Sequence, residues 1–148
     1  MVQALAGLGY VTGLILDMCG NSGIGFDHVA LMGRFLPVVK TLKFQKRYQS
    51  AGERSCCGPV VVIVDCSVRS ACETLAANFK EDGRAYVIGE SPTAGMWSSK
   101  TIIELPSRLF SVSVSVWSSM ARSNAGRGLE GLGVKPHELI AFEPDDLA

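Results

Sequence analysis

The sequence predicts an α/β fold with a mixed sheet. Short apolar runs rich in β-branched residues alternate with helical patterns between residues 11 and 89, whereas strand patterns crowd together from residue 100 onward. With 148 residues, the chain is long enough to bury one substantial core. The sequence has no internal repeat, low-complexity tract or linker, so we treat residues 1–148 as a single domain.

The first third of the chain predicts a strand, a glycine-rich turn and a helix. Residues 11–18 are a candidate for a buried strand, and the turn GNSGIG follows at 20–25. Residues 26–36 predict a helix that Pro37 ends. Its apolar stripe predicts core packing and consists of Val29, Met32, Phe35 and Leu36. Residues 38–48 alternate loosely, as an edge strand does.

The central stretch, residues 58–79, predicts a strand that runs directly into a helix. PVVVIV at 59–64 is a β-branched run behind a Gly-Pro break. The helix from residue 71 places Ala71, Leu75, Ala76 and Phe79 on one face.

Ser70 stands at the corner between this strand and this helix. Such a corner can expose a nucleophilic hydroxyl beside a helix N-terminus, which favours developing negative charge. Alternatively, Ser70 is only the helix N-cap, and Glu73 completes a capping box three residues later. The local pattern fits both interpretations.

The rest of the chain predicts short strands joined by turns. The predicted strands are residues 84–89, 100–105, 109–117 and 139–142. Residues 143–148 form an acidic segment that we expect to be a frayed tail.

Composition excludes several classes of function. The 14 basic and 14 acidic side chains give a net charge of 0, which argues against partners that bind by bulk charge, such as nucleic acid or an anionic membrane. Residues 1–16 lack a basic start and contain three glycines, so they predict neither a signal peptide nor a membrane span. The hydrophobic fraction of 47% predicts a homo-oligomer that covers apolar surface, including residues 1–10.

The five cysteines are odd in number and lack the spacing of a metal site. They predict reduced thiols in a cytoplasmic protein. We expect no metal and no cofactor.

Four segments, in this order, resemble one family. They are GLILDMCGNSGIG at 13–25, PVVVIVDCSVRSACETLA at 59–76, GRAYVIGESPTAG at 83–95 and LEGLGVKPHELI at 129–140. Together they look like the catalytic core of the C-terminal processing (tail-specific) serine peptidases. The resemblance is closer to the branch of the tricorn core protease and the photoreceptor retinoid-binding protein. It implies a ClpP/crotonase-like spiral of ββα units, and a truncated core without the upstream part of these proteins.

The resemblance also assigns roles to two residues. The family's nucleophile is the first serine of a Ser-Ala-Ser-Glu-like turn, which is Ser70 in SACE. The family's oxyanion hole would pair the Ser70 amide with the amide of Gly23 in the glycine-rich turn. Two such amides stabilise a carbonyl oxygen as it gains charge. Alternatively, Gly23 is needed only to make the turn.

The general base departs from the family pattern. One branch uses a lysine at the position of Met96, and methionine cannot accept a proton. Alternation would place Lys100, four residues later, on the same strand face as position 96, which makes it a replacement candidate; alternatively it is a solvated lysine. The tricorn-like branch uses a histidine and a glutamate, and Glu130 in EGLGVKP matches the glutamate. Alternatively, Glu130 is a turn carboxylate.

Neither histidine of the chain matches the catalytic histidine of that branch, which lies upstream of the first segment. His28 begins a predicted helix, and His137 occupies a position usually held by aspartate in the family. We therefore expect both to have surface or helix-start roles.

Three functions remain open from the sequence. In the first, the chain is a serine hydrolase or peptidase in which Ser70 attacks an acyl carbon of a peptide or small acyl substrate. Alternatively, it is a repurposed enzyme, such as a cyclase or lyase of a biosynthetic pathway, that uses only the oxyanion hole to polarise a carbonyl. The third alternative is a non-catalytic binding domain.

Overall fold

A computed structural model describes residues 11–23, 25–38, 48–117, 122–141 and 143. Most of the predicted edge strand at 38–48 and of the tail at 143–148 lies outside these ranges. The strands are β1 (Leu14–Asp17), β2 (Val60–Val64), β3 (Tyr86–Gly89), β4 (Ser99–Glu104), β5 (Ser111–Trp117) and β6 (Glu138–Leu139). The helices are α1 (His28–Gly33) and α2 (Ala71–Glu81), with 3-10 turns at Gly52–Arg54 and Ser123–Gly126. Within the described ranges, neither helix has the length and apolar character needed to cross a bilayer.

The described strands form two separate sheets. Strands β1, β2, β3 and β6 lie side by side in that order, and every neighbouring pair is parallel. Strands β4 and β5 form a two-stranded antiparallel hairpin of their own. The prediction of a single mixed sheet was therefore wrong for this part of the chain. A short turn lets β4 and β5 pair with each other, whereas the parallel strands need longer connections.

The core lies between the parallel sheet and α2. Strand β2 buries Val60, Val62 and Val64, which are at most 4% exposed. The predicted apolar face of the central helix is confirmed, because all four of its members are buried: Ala71, Leu75, Ala76 and Phe79. The ring of Phe79 packs edge-on against Phe35 at 5.0 Å between ring centroids. This packing holds the C-terminal half of α2 against the segment that follows α1.

Helix α1 is shorter than the predicted helix at 26–36. Asp27 is its N-cap, and the Asp27 carboxylate accepts a hydrogen bond from the Ala30 amide at 2.9 Å. The helix ends at Gly33, yet Phe35 and Leu36 beyond it are still buried. Val29, by contrast, is 44% exposed, so it does not belong to the core.

The hairpin is amphipathic and exposed. The pairs Thr101–Val114 and Ile103–Val112 lie on one face. Lys100–Ser115, Ile102–Ser113 and Glu104–Ser111 lie on the opposite face, which is polar except for Ile102. The apolar face stays open to solvent, with Ile103 49% and Val114 38% exposed. A two-stranded hairpin is only marginally stable by itself in water, and its exposed apolar face is suited to packing against another surface.

Candidate active site

The corner between β2 and α2 is shaped by Asp65. One oxygen of its carboxylate accepts hydrogen bonds from the amides of Ser67 (2.9 Å) and Val68 (3.0 Å). The same carboxylate also accepts the Gly20 amide at 3.0 Å, which ties the glycine-rich turn after β1 to the corner. The end of one strand is thus joined to the end of its neighbour.

Ser70 lies at the tip of this corner in an unusual backbone conformation. Its φ is 57° and its ψ is −125°, a region that side-chain-bearing residues rarely adopt and that costs on the order of 1–3 kcal/mol. The residue is exposed and serves as the N-cap of α2. Its hydroxyl faces the Glu73 amide as in a capping box, but without the geometry of a capping hydrogen bond. The hydroxyl is therefore presented to solvent at a sharp strand-to-helix turn.

Glu73 is a fully buried carboxylate with four hydrogen-bond donors around it. It accepts the Ser70 amide at 3.1 Å and the Thr93 hydroxyl at 2.6 Å. It also accepts the amides of Gly95 at 2.7 Å and Met96 at 2.9 Å. Four donors occupy the acceptor positions of this buried carboxyl group. From the sequence, Glu73 is only a capping residue; its contacts with residues 93–96 could not be read there.

Glu130 holds the next two amides along the chain. Its Oε2 accepts the amides of Trp97 at 2.9 Å and Ser98 at 2.6 Å. Hydrogen bonds from the side chain and amide of Ser98 lower the pKa of the Glu130 carboxyl below its usual value, and Lys100 adds to the effect. We call residues 95–98 the strap. Glu130 therefore contacts the backbone of the strap, and no histidine is hydrogen-bonded to it among the described residues.

Met96 lies directly beside Ser70. Its carbonyl oxygen accepts the Ser70 amide at 3.0 Å, and its side chain is 49% exposed. The position that carries the lysine in one branch of the resembling family is thus next to the serine, but here it offers no proton acceptor.

The glycine-rich turn presses against the start of α2 at Gly23. Gly23 has a φ of +69°, and a Cβ added to it would lie 2.6 Å from the Arg69 carbonyl oxygen and 2.9 Å from the Ala71 amide nitrogen. Only glycine fits such a close approach at this φ. The Gly23 amide donates to the side-chain oxygen of Asn21 at 3.1 Å.

The amide of Ser70 is already engaged, because it donates to Met96 and to Glu73. It does not face the glycine-rich turn, contrary to the expected pairing of the Ser70 and Gly23 amides. Two amides lie next to Gly23, those of Ala71 and Cys72. The Cys72 amide donates to the Arg69 carbonyl, whereas the described residues offer no acceptor to the Ala71 amide. A reversed backbone at Ser70 explains the shift by one residue, since it turns the Ser70 amide back toward the strap.

Lys100 lies on the polar face of the hairpin. Its side chain is exposed, and its Nζ donates to the Ser115 hydroxyl at 2.5 Å. The strand register places Ser115 opposite Lys100. The structure therefore directs this lysine toward the hairpin instead of burying it beside Ser70.

The two histidines have separate partners. His28 Nε2 donates to the Ala71 carbonyl at 3.0 Å, so this ring lies beside the start of α2. The His137 Nδ1 accepts the Val87 amide at 2.9 Å, and its ring stacks on Tyr86. Burial, and to a lesser extent Lys80, lowers the pKa of His137. In the described part of the chain, neither ring is hydrogen-bonded to Ser70.

A cavity of about 650 Å³ lies between β1, the glycine-rich turn, α1 and α2. Its walls are mainly apolar and include Leu16, Met18, Phe26, Leu31, Cys72 and Leu75. Burial raises the pKa of the Cys72 thiol, so this cysteine is a poor nucleophile. Within the described residues, no three His, Cys, Asp or Glu side chains are grouped as a metal site.

Comparison with known proteins gives one consistent result. Residues 1–140 match the model of peptidase family S41. The chain is 29% identical over 137 residues to a carboxyl-terminal-processing protease from Picosynechococcus sp. strain PCC 7002, an alignment that covers 88% of this chain and 32% of the relative. The chain thus spans about a third of that relative's length.

Solved structures agree with the family match. The photosystem II D1 C-terminal processing protease has a TM-score of 0.65 at 26% identity, covering 99% of this chain and 39% of that one. The tricorn protease has a TM-score of 0.73 at 22% identity, covering 97% of this chain and 14% of that one. These similarities correspond to the ClpP/crotonase-like α/β fold of the S41 catalytic domain.

Proposed function

Because this chain belongs to peptidase family S41, we propose that it carries a serine-peptidase site in which Ser70 attacks the carbonyl carbon of a peptide. The backbone conformation of Ser70 is the observation that carries the proposal. A serine with φ of 57° and ψ of −125°, exposed at a strand-to-helix corner, is the arrangement that presents a nucleophile. A serine needed only as an N-cap would adopt the extended conformation without strain.

The amides of Gly23 and Ala71 supply the oxyanion hole in this proposal. The support is their juxtaposition, with an added Gly23 Cβ only 2.9 Å from the Ala71 nitrogen. When a substrate carbonyl enters, its oxygen replaces the Asn21 side chain as the acceptor of the Gly23 amide. Donors fixed in advance stabilise the oxygen as the new Ser70 Oγ–carbon bond forms.

The proton of the Ser70 hydroxyl has no acceptor at position 96. Attack converts the hydroxyl to an ester, so its proton must pass to a base and then to the leaving amine. Methionine at 96 cannot take it, and the described residues place neither Lys100 nor His28 on Ser70. We therefore propose a nucleophile of low intrinsic reactivity, with water or a group beyond the described residues as proton acceptor.

Covalent labelling tests this proposal. An alkyl fluorophosphonate should add one phosphonyl group to the protein, slowly, and peptide mapping should locate it on Ser70. Ser70→Ala should abolish the addition, whereas Ser67→Ala, at the neighbouring serine of the same corner, should keep it. Absence of labelling after prolonged exposure, with an active serine peptidase labelled in parallel, would contradict the proposal.

A second candidate function follows from Met96. A site that has an oxyanion hole and lacks a base suits a cyclase or lyase that polarises a carbonyl, or a binding domain, without a covalent step. A peptide aldehyde distinguishes the two functions, because it binds reversibly as a hemiacetal only through the Ser70 hydroxyl. Tight binding that Ser70→Ala removes favours the nucleophile; binding of a ketone analogue that survives Ser70→Ala favours the second candidate.

We also propose that the chain self-associates through the apolar face of the hairpin. The observation that supports self-association is the exposed, uncharged surface of this face, which includes Ile103, Val112 and Phe110. About seven side chains, each burying on the order of 70 Å², give about 1,000 Å² over two copies, near the lower limit of a specific interface. The net charge of 0 gives two copies no overall repulsion.

A further inference from the structure

We propose that Glu73 and Glu130 form a two-carboxylate clamp that positions the strap, residues 95–98, beside Ser70. Glu73 accepts the amides of Gly95 and Met96, and Glu130 accepts those of Trp97 and Ser98. Four successive amides are thus bound by two side chains from different parts of the fold. Both glutamates are positioning residues in this proposal, because they act on Ser70 through the strap.

The clamp replaces regular secondary structure. The strap lies between the loop after β3 and the start of β4, and within the described part of the chain no strand pairs with its amides. Unpaired backbone donors are costly where water is excluded, and carboxylates are the strongest acceptors that side chains offer. Glu73 and Glu130 therefore determine the backbone path of the strap, which lies next to Ser70.

One oxygen of Glu73 joins the strap to the strained serine. Glu73 Oε2 accepts both the Ser70 amide at 3.1 Å and the Met96 amide at 2.9 Å. The same Ser70 amide also donates to the Met96 carbonyl oxygen at 3.0 Å. The conformation of Ser70 and the place of residue 96 are consequently coupled through Glu73.

The two halves of the clamp differ in burial. Glu73 has no exposed surface, whereas Glu130 is exposed. Water can replace Glu130 at Trp97 and Ser98, but it cannot replace Glu73 at Gly95 and Met96 without opening the core. Loss of the Glu130 carboxylate should therefore free the amides of residues 97–98 while those of residues 95–96 stay bound to Glu73. Loss of the Glu73 carboxylate should also change the conformation of Ser70.

Residue-resolved amide hydrogen exchange of the full chain tests the clamp directly. Glu130→Ala should speed exchange at Trp97 and Ser98 at least about tenfold and leave Gly95 and Met96 protected. Glu130→Gln, which keeps one acceptor oxygen, should restore part of the protection. Glu104→Ala, which removes an exposed glutamate of the hairpin, is the matched control and should change none of the four. Unchanged exchange at Trp97 and Ser98 in Glu130→Ala would overturn the proposal.

Glu73→Gln tests the other arm and should speed exchange at Gly95, Met96 and Ser70 together. If this variant does not fold, the Glu130→Ala experiment still decides the proposal. The effect on the reactivity of Ser70 rests on the proposed function, whereas amide exchange does not. Faster amide exchange in Glu130→Ala, together with no labelling of Ser70, would support the clamp and contradict the proposed nucleophile. Unchanged exchange together with labelling of Ser70 would support the nucleophile and contradict the clamp.

Discussion

The amide nitrogen of Ser70 lies 3.0 Å from the carbonyl oxygen of Met96. This bond joins the residue proposed as nucleophile to the position that holds the base in lysine-dependent members of the resembling family. The backbone therefore brings residue 96 next to Ser70, although the methionine side chain at 96 cannot accept a proton.

Ser70→Gly should give a more stable protein than Ser70→Ala. Both variants lose the hydroxyl, but only glycine adopts a φ of 57° and a ψ of −125° without steric cost. We expect Ser70→Gly to exceed Ser70→Ala by about 1 kcal/mol in the free energy of unfolding. Urea denaturation of both variants measures it. Equal stability would mean that Ser70 is not strained in solution.

Gly23→Ala should damage the site more than Gly20→Ala. Both glycines have a φ near +70°, so both substitutions carry a backbone cost of about 1 kcal/mol. Only at Gly23 does the added methyl group meet backbone atoms, with the nearest at 2.6 Å, whereas Gly20 has open space. We expect a further loss of about 2 kcal/mol in the free energy of unfolding of Gly23→Ala, and loss of peptide-aldehyde binding. Similar stabilities for the two variants would contradict the close approach.

The Glu130 arm of the clamp should weaken in acid. Its pKa is lowered in the folded protein, so the ionised carboxylate stabilises the fold above the usual pKa of a glutamate, and that contribution is lost as the pH falls through the folded-state pKa. The stability difference between the wild type and Glu130→Gln should thus be larger at pH 7 than at pH 3. We expect a change of less than about 1 kcal/mol because the carboxylate is exposed. A difference that is constant with pH would argue against these hydrogen bonds.

Self-association should depend on the apolar face of the hairpin. Val112→Thr combined with Phe110→Ser makes this face more polar while keeping residues compatible with a strand and its turn. Size-exclusion chromatography with light scattering should show an oligomer for the wild type and a monomer for this variant. Leu139→Thr, on the exposed side of β6, is a control that should not change the mass. A monomeric wild type would contradict self-association.

Much of the centre of the fold could be predicted from the sequence. The β-branched run at 59–64 and the helical face of residues 71–79 were confirmed within one or two residues, because local patterns decide buried strands and amphipathic helices. The family followed from four collinear segments and is shown by the match over residues 1–140.

The arrangement of the site depended on contacts that no local pattern contains. Glu73 meets residues 93–96, more than 20 positions away for Gly95 and Met96, and Glu130 meets residues more than 30 positions before it. The direction of Lys100 depended on the register of the hairpin, which pairs it with Ser115. The engagement of the Ser70 amide followed from a backbone reversal that the letters SACE do not reveal.

The measurement that tests the central claim most directly is fluorophosphonate labelling of Met96→Lys beside the wild type. Residue 96 is next to Ser70, so a lysine there should act as the missing base and raise the labelling rate of Ser70 at least about tenfold, with a rate that increases as the lysine loses its proton. Met96→Gln, of similar length and without a base, should label like the wild type, and Met96→Lys/Ser70→Ala should not label. If Met96→Lys labels no faster than the wild type at any pH while its fold is intact, Ser70 is not a nucleophile awaiting a base at position 96.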